Sequence, residues 1–316
     1  MRLATFNLES FGGDKPGEAA TLARIALLRA RLTAIEADIL CLQEVNGQRD
    51  PRGGSRTLAD LDHLIADTPL AGFDRASAGS ETSLGDRHNL VILSRYEIID
   101  VKRLLHDRVP PAQIPVPASP EAPLEARFDR AVLQATIAHP SGRNIALFNA
   151  HLRAPLAAPV AGEKLTGSTW RTASGWASGL YLAAAKRLGQ ALEIRHAADQ
   201  LLDADPDALI AVAGDLNADL IETPLRMLMA LPEDTETDAL APYALHALEE
   251  RLPEPLRFSA RHGARRHLPD HILASRALAD RLIDVRLDNE AVVDDLRVPA
   301  GFLGSLHAPL SARFDM

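Results

Sequence analysis

An apolar run that breaks into a polar tip limits what this 316-residue chain can form. Residues 209–219 read LIAVAGDLNAD, and 209–213 have the length and β-rich character of a buried strand. Gly214 ends the run, and Asp215 and Asn217 follow two residues apart, so an extended backbone would project both to one side. A carboxylate can activate water or a metal, and a nearby amide can orient the same water. An ordinary turn is the alternative interpretation.

Five other apolar runs carry polar side chains where they begin or end. Their sequence patterns predict strands over 2–8, 38–45, 144–149, 269–275 and 310–314. The polar residues at these strand ends are Asn7, Glu44, His151, Asp270 and His307. Together with Asp215 they predict a site built where several strand ends converge.

Composition bounds the class of protein. A chain of this length with 47% hydrophobic residues can bury one large core or two modest ones, and because large sandwiches are often this long we expect one domain over 1–316. The net charge of −9 gives no overall basic field for a polyanion. Cys41 is the single cysteine, which excludes an internal disulfide framework and is typical of a reducing compartment. With no long apolar segment and no signal-like start, we expect a soluble cytoplasmic protein without membrane insertion.

Helical spacing predicts helices over 19–35 and 180–202. The proline-rich stretch 106–130 is predicted to be a surface loop or flap. The stretch 153–179 contains both tryptophans, Trp170 and Trp176, and we interpret it as a lid because so long a loop in a compact domain is usually functional. The basic segment 257–267 fits either a solvated loop or an edge that contacts phosphate.

The strand-end residues have the parts for metal-assisted cleavage of a phosphoester. Hard oxygen ligands such as Glu44 suit Mg²⁺ or Mn²⁺. An acid such as Asp215 can orient or deprotonate water, and imidazoles can donate hydrogen bonds to phosphoryl oxygens. The sequence has no Cys-X-X-Cys zinc motif, no P-loop and no Gly-X-Ser-X-Gly elbow.

The order of these motifs resembles the endonuclease/exonuclease/phosphatase superfamily. In chain order the motifs are ATFNLESF, DILCLQEV, HNLVILSRYEI, FNAHLRA, AGDLNAD, LPDHILAS and SLHAPL, which together cover residues 3 to 314. The first and the PDHILAS motifs look closest to a bacterial branch of mostly nucleases. The resemblance implies an α/β (α+β) four-layer sandwich, in which two packed mixed β-sheets are flanked by helices and the site lies at one end.

The resemblance also implies a role for each matched residue. Glu44 would be the principal ligand of Mg²⁺ or Mn²⁺, and Asn7 would be a ligand through water or an orienting amide. His151 would bind the scissile phosphate. Asp215 would activate the nucleophilic water, and Asn217 would hold that water or the phosphate.

Two further residues would act as a pair. His307 would stabilise the transition state, and Asp270 would fix its tautomer and keep it cationic longer.

One position departs from the family pattern. The family usually has an acid immediately before the last histidine, where this chain has Leu306. The missing acid predicts weaker metal binding, a shifted site or lost activity. Glu9, Asp14 and Asp219 are the acids that would compensate, and the sequence does not select among them.

The predicted function is therefore a phosphodiesterase dependent on Mg²⁺ or Mn²⁺, foremost a nuclease, with DNA among the phosphoester substrates. Trp170, Trp176, Arg261 and Arg265 are the candidate substrate contacts, by stacking and phosphate pairing. A phosphatase and a lipid or small-molecule phosphodiesterase are alternatives of the same fold. A metal-poor pseudoenzyme that binds a phosphorylated ligand or a protein is the alternative of another class.

Overall fold

Two six-stranded sheets form the centre of the computed structural model, which describes residues 1–50, 53–78, 84–117 and 119–316. The strands are β1 Arg2–Phe11, β2 Ile39–Val45, β3 Asp74–Ser77, β4 Asn89–Ser94, β5 Ile98–Leu104, β6 Ala112–Val116, β7 Ser119–Ala126, β8 Val132–Ala138, β9 Asn144–His151, β10 Leu209–Asp215, β11 Leu245–Ala247, β12 Ala260–His262, β13 Arg265–His267, β14 Asp270–Ser275, β15 Leu282–Leu287 and β16 Leu310–Phe314. The helices are α1 Ala19–Ile35, α2 Ala59–Ile65, α3 Ala173–Ala204, α4 Thr223–Met229, α5 Pro232–Thr235 and α6 Arg276–Ala279. The first sheet has the order β15-β16-β1-β2-β4-β3 and the second β11-β14-β10-β9-β8-β5.

Three apolar layers hold these elements together. Side chains such as Ile39 and Leu147 fill the space between the two sheets. Leu28 of α1 packs with the outer face of the first sheet, and Ile194 of α3 packs with the outer face of the second. The order helix, sheet, sheet, helix confirms the predicted four-layer sandwich of two mixed sheets flanked by helices.

β10 lies at the centre of the second sheet, as its apolar sequence predicts. All seven of its residues are buried, and it runs parallel to β9 and antiparallel to β14. Gly214 has a φ of +150°, and a Cβ at this position would lie 1.8 Å from the backbone oxygen of Ala150. Only glycine therefore fits where β10 approaches β9.

A buried polar layer joins the two sheets just below the ends of their central strands. Gln43 Nε2 on β2 donates to Asn149 Oδ1 on β9 at 2.8 Å. Asn149 Nδ2 donates back to the carbonyls of Leu42 at 3.1 Å and Val91 at 2.9 Å. Because buried amides must be paired, these bonds fix how one sheet lies on the other.

Three stretches for which no strand or helix was predicted contain regular secondary structure. The stretch 106–130, predicted to be a loop, contains the two-stranded hairpin β6–β7, which is separate from both large sheets. The stretch 153–179, predicted to be a lid, contains the start of α3, which begins at Ala173 instead of residue 180. Its role as a lid stays a prediction. The basic segment 257–267 forms a second hairpin, β12–β13.

Other features agree with the sequence or remain predictions. Helix α1 has the predicted bounds. Cys41 is buried in β2. In the described ranges, no helix is both long and apolar enough to cross a membrane. The single domain over 1–316 and the cytoplasmic location stay predictions.

Candidate active site

The carboxyl ends of four strands meet at one end of the sandwich. β1 lies parallel to β2, and β9 lies parallel to β10 with His151 opposite Asp215. Asn7 Nδ2 donates to Asp215 Oδ2 at 2.9 Å and to Glu44 Oε1 at 3.2 Å, so it links the two sheets. His151 Nε2 lies 3.5 Å from Asp215 Oδ2 and 3.8 Å from Glu44 Oε1. Four of the predicted site residues therefore lie together.

His307 joins this cluster from the turn before β16. Its Nδ1 donates to Asp270 Oδ2 at 2.7 Å, and its Nε2 lies 3.9 Å from Asp215 Oδ2. Ser259 Oγ donates to the same Asp270 oxygen at 2.6 Å. Burial alone would lower the pKa of His307, but Asp270 and Asp215 outweigh burial and raise this pKa to about 10. His307 is thus a cation at neutral pH, and Asp270 fixes its orientation.

The surroundings of Asp215 favour its uncharged form, whereas those of His307 favour the charged form. Burial raises the pKa of Asp215 to about 7, and Asp270 adds to this rise while His307 opposes it. The backbone N–H of Asn217 donates to Asp215 Oδ1 at 3.0 Å, so both oxygens of the carboxylate are held. A carboxyl group whose pKa lies near neutrality is suited to accept a proton from water.

Glu44 and Glu9 form an acidic wall beside these groups. Glu44 Oε2 accepts the backbone N–H of Ser10 at 2.8 Å and lies 3.6 Å from His88 Nε2. The backbone of Leu306 lies near the Glu9 carboxylate. Burial raises the pKa of Glu9, and the negative charge of Glu44 adds to this rise, whereas the Leu306 backbone lowers the pKa of this group. The two acids therefore present adjacent negative charge to the same space.

Among the three acids that the sequence left open at this end, the structure favours Glu9. Asp14 is half exposed and pairs with Arg56 at 3.0 Å. Asp219 Oδ1 accepts the backbone N–H of Leu268 at 2.8 Å and lies in a neighbouring cavity. Glu9 lines the cavity that also contains Leu306.

Two basic residues that the sequence did not predict lie at the site. Arg130 lies just before β8 and His88 just before β4, and the charges of both act on Glu44 and His151. Arg130 Nη1 is buried and has no hydrogen-bond partner among the described residues. Burial lowers the pKa of His151 far below its usual value, and the charge of Arg130 adds to this effect, so His151 is neutral.

A simple topological signal would have found both basic groups. β8 runs antiparallel to β9, and β4 runs antiparallel to β2. An antiparallel strand begins at the edge where its neighbour ends. Residues that precede such strands therefore belong in the search alongside residues that follow parallel ones.

Backbone strain is concentrated at the same end of the sandwich. Eleven described residues other than glycine have a left-handed φ, and five of them surround this cluster. The five are Glu9 at 54°, Ser10 at 51°, Glu44 at 58°, His88 at 57° and Asn217 at 50°. Strain of this kind persists where the surrounding structure imposes it, and it is common at functional sites.

The cluster encloses a cavity of about 230 Å³, which we call the catalytic pocket. Its lining includes Glu9, Glu44, His151, Asp215, Leu306 and His307. Asn217 also lines it, while its Nδ2 donates to the carbonyl of Leu152 at 3.0 Å.

The predicted substrate contacts are divided. Arg261 lines the catalytic pocket. Arg265 is exposed on β13, Trp176 is 46% exposed near the start of α3, and Trp170 lies under Lys164 Nζ, 4.4 Å from its ring centre. These last three are not among the described residues that line the catalytic pocket.

The donor set suits a hard divalent cation. Glu44 and Glu9 supply carboxylate oxygens, the ligands that Mg²⁺ and Mn²⁺ prefer. Asp215, Asp270 and His307 also place three ligand atoms within 4.8 Å of one another. That second group is less suited, because Asp270 already accepts a bond from a cationic His307, whose charge would repel a metal ion.

A family model for the endonuclease/exonuclease/phosphatase family matches residues 4–293. The chain belongs to this family. Members hydrolyse phosphoesters, so the chain is a phosphoester hydrolase by family, and the convergence of acids and imidazoles at one end of the sandwich agrees with that class. A comparison with curated proteins found no match.

Solved structures show the same fold at low identity. An AP endonuclease from Archaeoglobus fulgidus is 17% identical with a TM-score of 0.57, and the match covers 100% of both chains. Truncated TDP2 from Caenorhabditis elegans is 15% identical with a TM-score of 0.57, covering 99% of this chain and 96% of that chain. A mannosyl-6-phosphatase from Bacteroides thetaiotaomicron is 13% identical with a TM-score of 0.55, covering 100% of both. At these identities the likeness concerns the fold of the family alone.

Proposed function

We propose that this chain is a metal-dependent phosphoester hydrolase in which Asp215 activates water and two histidines hold the phosphoryl group. The observation that carries the proposal is the approach of both imidazoles to one carboxylate oxygen, Asp215 Oδ2. The Nε2 atom of His151 lies 3.5 Å from it and that of His307 lies 3.9 Å from it. A phosphoryl group bound between the rings would lie beside a water molecule that contacts the same carboxylate.

A divalent cation, Mg²⁺ or Mn²⁺, would supply positive charge for the phosphoryl oxygens in the transition state. We propose that Glu44 and Glu9 hold it, since both carboxylates line the catalytic pocket. Asn7 would orient Glu44 instead of binding the ion, because its Nδ2 donates to Glu44 and its Oδ1 accepts the backbone N–H of Glu9.

Asp215 and His307 would have different roles in the reaction. Asp215 would accept a proton from water as the water oxygen bonds to phosphorus. The bond between phosphorus and the leaving oxygen then breaks, and that oxygen takes a proton from solvent. His307, kept cationic by Asp270, would stabilise the charge that develops on the phosphoryl oxygens. Asn217 would keep Asp215 in place through its backbone N–H.

Two more side chains would bind the phosphoryl group. Neutral His151 can donate one hydrogen bond through Nε2, the atom directed at Asp215 and Glu44. Arg130 brings a buried N–H group that has no partner among the described residues. A guanidinium is well matched to phosphoryl oxygens.

Phosphodiesters, DNA included, are the first substrate candidates, and phosphomonoesters are the second. An AP endonuclease among the structural neighbours supports the first, and a mannosyl-6-phosphatase supports the second. A cytoplasmic setting is consistent with the single buried Cys41.

The test is hydrolysis by the purified protein of bis(p-nitrophenyl) phosphate, p-nitrophenyl phosphate and plasmid DNA. Each substrate is assayed with EDTA, Mg²⁺ or Mn²⁺. We expect metal-dependent turnover that falls by about 10² to 10⁴ in Asp215→Asn and in His307→Gln. Exposed Glu233→Gln and His63→Gln are the matched controls and should keep wild-type rates.

Turnover that survives EDTA would refute the metal requirement. Turnover that survives both site substitutions would refute the assigned roles. If no substrate is hydrolysed but inorganic phosphate binds to the wild type and not to the His307→Gln protein, the site serves a binding function.

A further inference from the structure

A second cavity adjoins the catalytic pocket, and the proposed chemistry leaves it unused. This cavity of about 320 Å³, which we call the hairpin pocket, is lined by residues that include Pro155, Ala218, Asp219, His262, His267 and Pro269. It shares Asn217, Ala260, Arg261, Asp295 and His307 with the catalytic pocket. A group attached to a phosphoryl unit in the catalytic pocket would therefore extend into it. Its volume is at the lower end of the range for small-molecule sites.

The outer wall of the hairpin pocket is preformed. The backbone N–H groups of Gly263 and Ala264, at the tip of the β12–β13 hairpin, donate to the carboxylate of Asp294 at 3.0 Å and 2.6 Å. At the base of the hairpin, the N–H of Leu268 donates to Asp219 Oδ1 at 2.8 Å. Since the wall is tied at both ends, a ligand would meet a fixed shape with little ordering cost.

Carboxylates outnumber guanidinium groups on the wall. Carboxylates of Asp219, Glu222 and Asp295 line the hairpin pocket, against one arginine, Arg261. His262 Nδ1 lies 2.9 Å from Asp295 Oδ2, and His267 Nδ1 lies 3.7 Å from Asp219 Oδ2. Such a wall would repel a string of phosphates, because nucleic-acid sites depend on an excess of cations.

The other surfaces suit an uncharged ring that carries hydroxyl groups. Pro155, Ala218 and Pro269 supply apolar surface for the face of a ring. Carboxylates accept hydrogen bonds from hydroxyl groups, and Asp219 and Asp295 are placed for this. Arg261 Nε and His267 Nε2 are buried and have no hydrogen-bond partner in the described part of the chain, so the wall also has unused polar atoms.

We infer that the hairpin pocket binds the non-phosphate part of the substrate, and that this part is a single uncharged, hydroxylated ring such as a sugar. The inference rests on the proposed function and reverses the order of the substrate candidates given there. The preferred substrate is then a small phosphoester, and polymeric DNA is a poor one.

The first experiment compares kcat/KM for glucose 6-phosphate and ribose 5-phosphate with that for a 20-residue single-stranded DNA and a plasmid. We expect at least one sugar phosphate to be preferred by roughly tenfold or more. Its KM should depend weakly on salt, as one phosphate contact requires. A preference for either DNA, or a steep salt dependence, would overturn the inference.

A variant that fills the hairpin pocket tests whether the ring of the substrate binds there. Pro155→Trp places a large side chain in the hairpin pocket, and Pro159→Trp, on the same exposed loop, is the matched control. Pro155→Trp should raise KM for the preferred sugar phosphate roughly tenfold. Inhibition by inorganic phosphate, which needs the catalytic pocket alone, should change less than about twofold. Equal weakening of both, or an unchanged KM, would overturn the inference.

The outcomes separate this inference from the proposed function. If bis(p-nitrophenyl) phosphate is hydrolysed while no sugar phosphate is preferred, the inference fails and the hydrolase stands. If nothing is hydrolysed, calorimetry with the same sugar phosphates in EDTA still decides. Binding that Pro155→Trp removes supports the ring site, and no binding to the wild type overturns it.

Discussion

The Asp270→Asn variant tests the division of charge between His307 and Asp215. Asn has the same shape, so a carbonyl oxygen can still accept the bond from His307 Nδ1, which spans 2.7 Å. The pKa of His307, raised from 6.5 to about 10, corresponds to roughly 5 kcal/mol in favour of the imidazolium. Asp270 contributes most among the groups that raise it, so its loss should remove roughly 2–3 kcal/mol and lower this pKa by roughly 2.

The same substitution acts on Asp215 with a defined sign. The charge of Asp270 raises the pKa of Asp215, so removing that charge lowers it. Activity needs Asp215 deprotonated and His307 protonated, so both limbs of the pH profile should move toward lower pH. With the pKa of His307 lowered to about 8, about half of the imidazolium remains at pH 8, so kcat/KM there should fall only about twofold, whereas at pH 10 it should fall by roughly 50-fold.

The assay is kcat/KM for bis(p-nitrophenyl) phosphate from pH 5 to 11 at one fixed metal concentration. Ser259→Ala is the control, because it removes the other hydrogen bond to Asp270 Oδ2 and keeps the charge. This control should leave both limbs in place and cost less than about tenfold. If Asp270→Asn loses activity while both limbs stay where they are, the charge argument is wrong.

Three further predictions concern the metal, the core and the phosphate. Glu9→Gln should weaken Mn²⁺ binding by about tenfold or more, as measured by calorimetry, because it removes a carboxylate from the metal site. Adding Leu306→Asp to this variant should restore binding, because it returns a carboxylate to the same site. Equal affinity in the wild type and both variants would refute the role of Glu9. Burial lowers the pKa of His271, but the Glu249 carboxylate beside it outweighs burial and raises this pKa above the usual value. Glu249→Gln leaves the buried imidazolium without its partner, so the free energy of unfolding, measured in urea at pH 6, should fall by about 3–5 kcal/mol. This cost is present below the ordinary histidine pKa and should shrink as pH rises through the raised folded pKa, whereas a pH-independent cost would contradict the pairing. Arg130→Ala should weaken inhibition by inorganic phosphate about tenfold, and an unchanged inhibition constant would exclude contact with the phosphoryl group.

The residues that follow a strand can be predicted from the sequence, because the hydrophobic pattern of the strand and the direction of the chain can both be read locally. Asn7, Glu44, His151 and Asp215 all follow apolar runs, and the parallel pairs β1–β2 and β9–β10 bring them together. Whether a residue that precedes a strand belongs to the same edge depends on the direction of the neighbouring strand. That is a tertiary property, and it is why Arg130 stayed outside the predicted set.

The hairpins were harder to predict for another physical reason. β6 and β7 pair with each other outside the large sheets, so no alternation against the main core marks them, and proline is tolerated there. β12 and β13 have three residues each and are held by Asp294, about thirty residues along the chain from their tip. The pocket they enclose therefore has no local signal in the sequence.

The relative position of the two sheets is the property on which the site depends most. Asn7 and Glu44 belong to one sheet, and His151 and Asp215 belong to the other, so sliding one sheet by a few ångströms would separate the acids from the imidazoles. Apolar contacts between sheets tolerate such sliding, because one aliphatic side chain can replace another. The bonds of Asn149 to Leu42, Val91 and Gln43 do not, since a shift would leave a fully buried amide unpaired. Asn149 thus affects the reaction only by fixing the position of one sheet on the other. Asn149→Leu should therefore weaken metal binding and phosphate binding together. A loss of one alone would show that the sheets keep their register without Asn149.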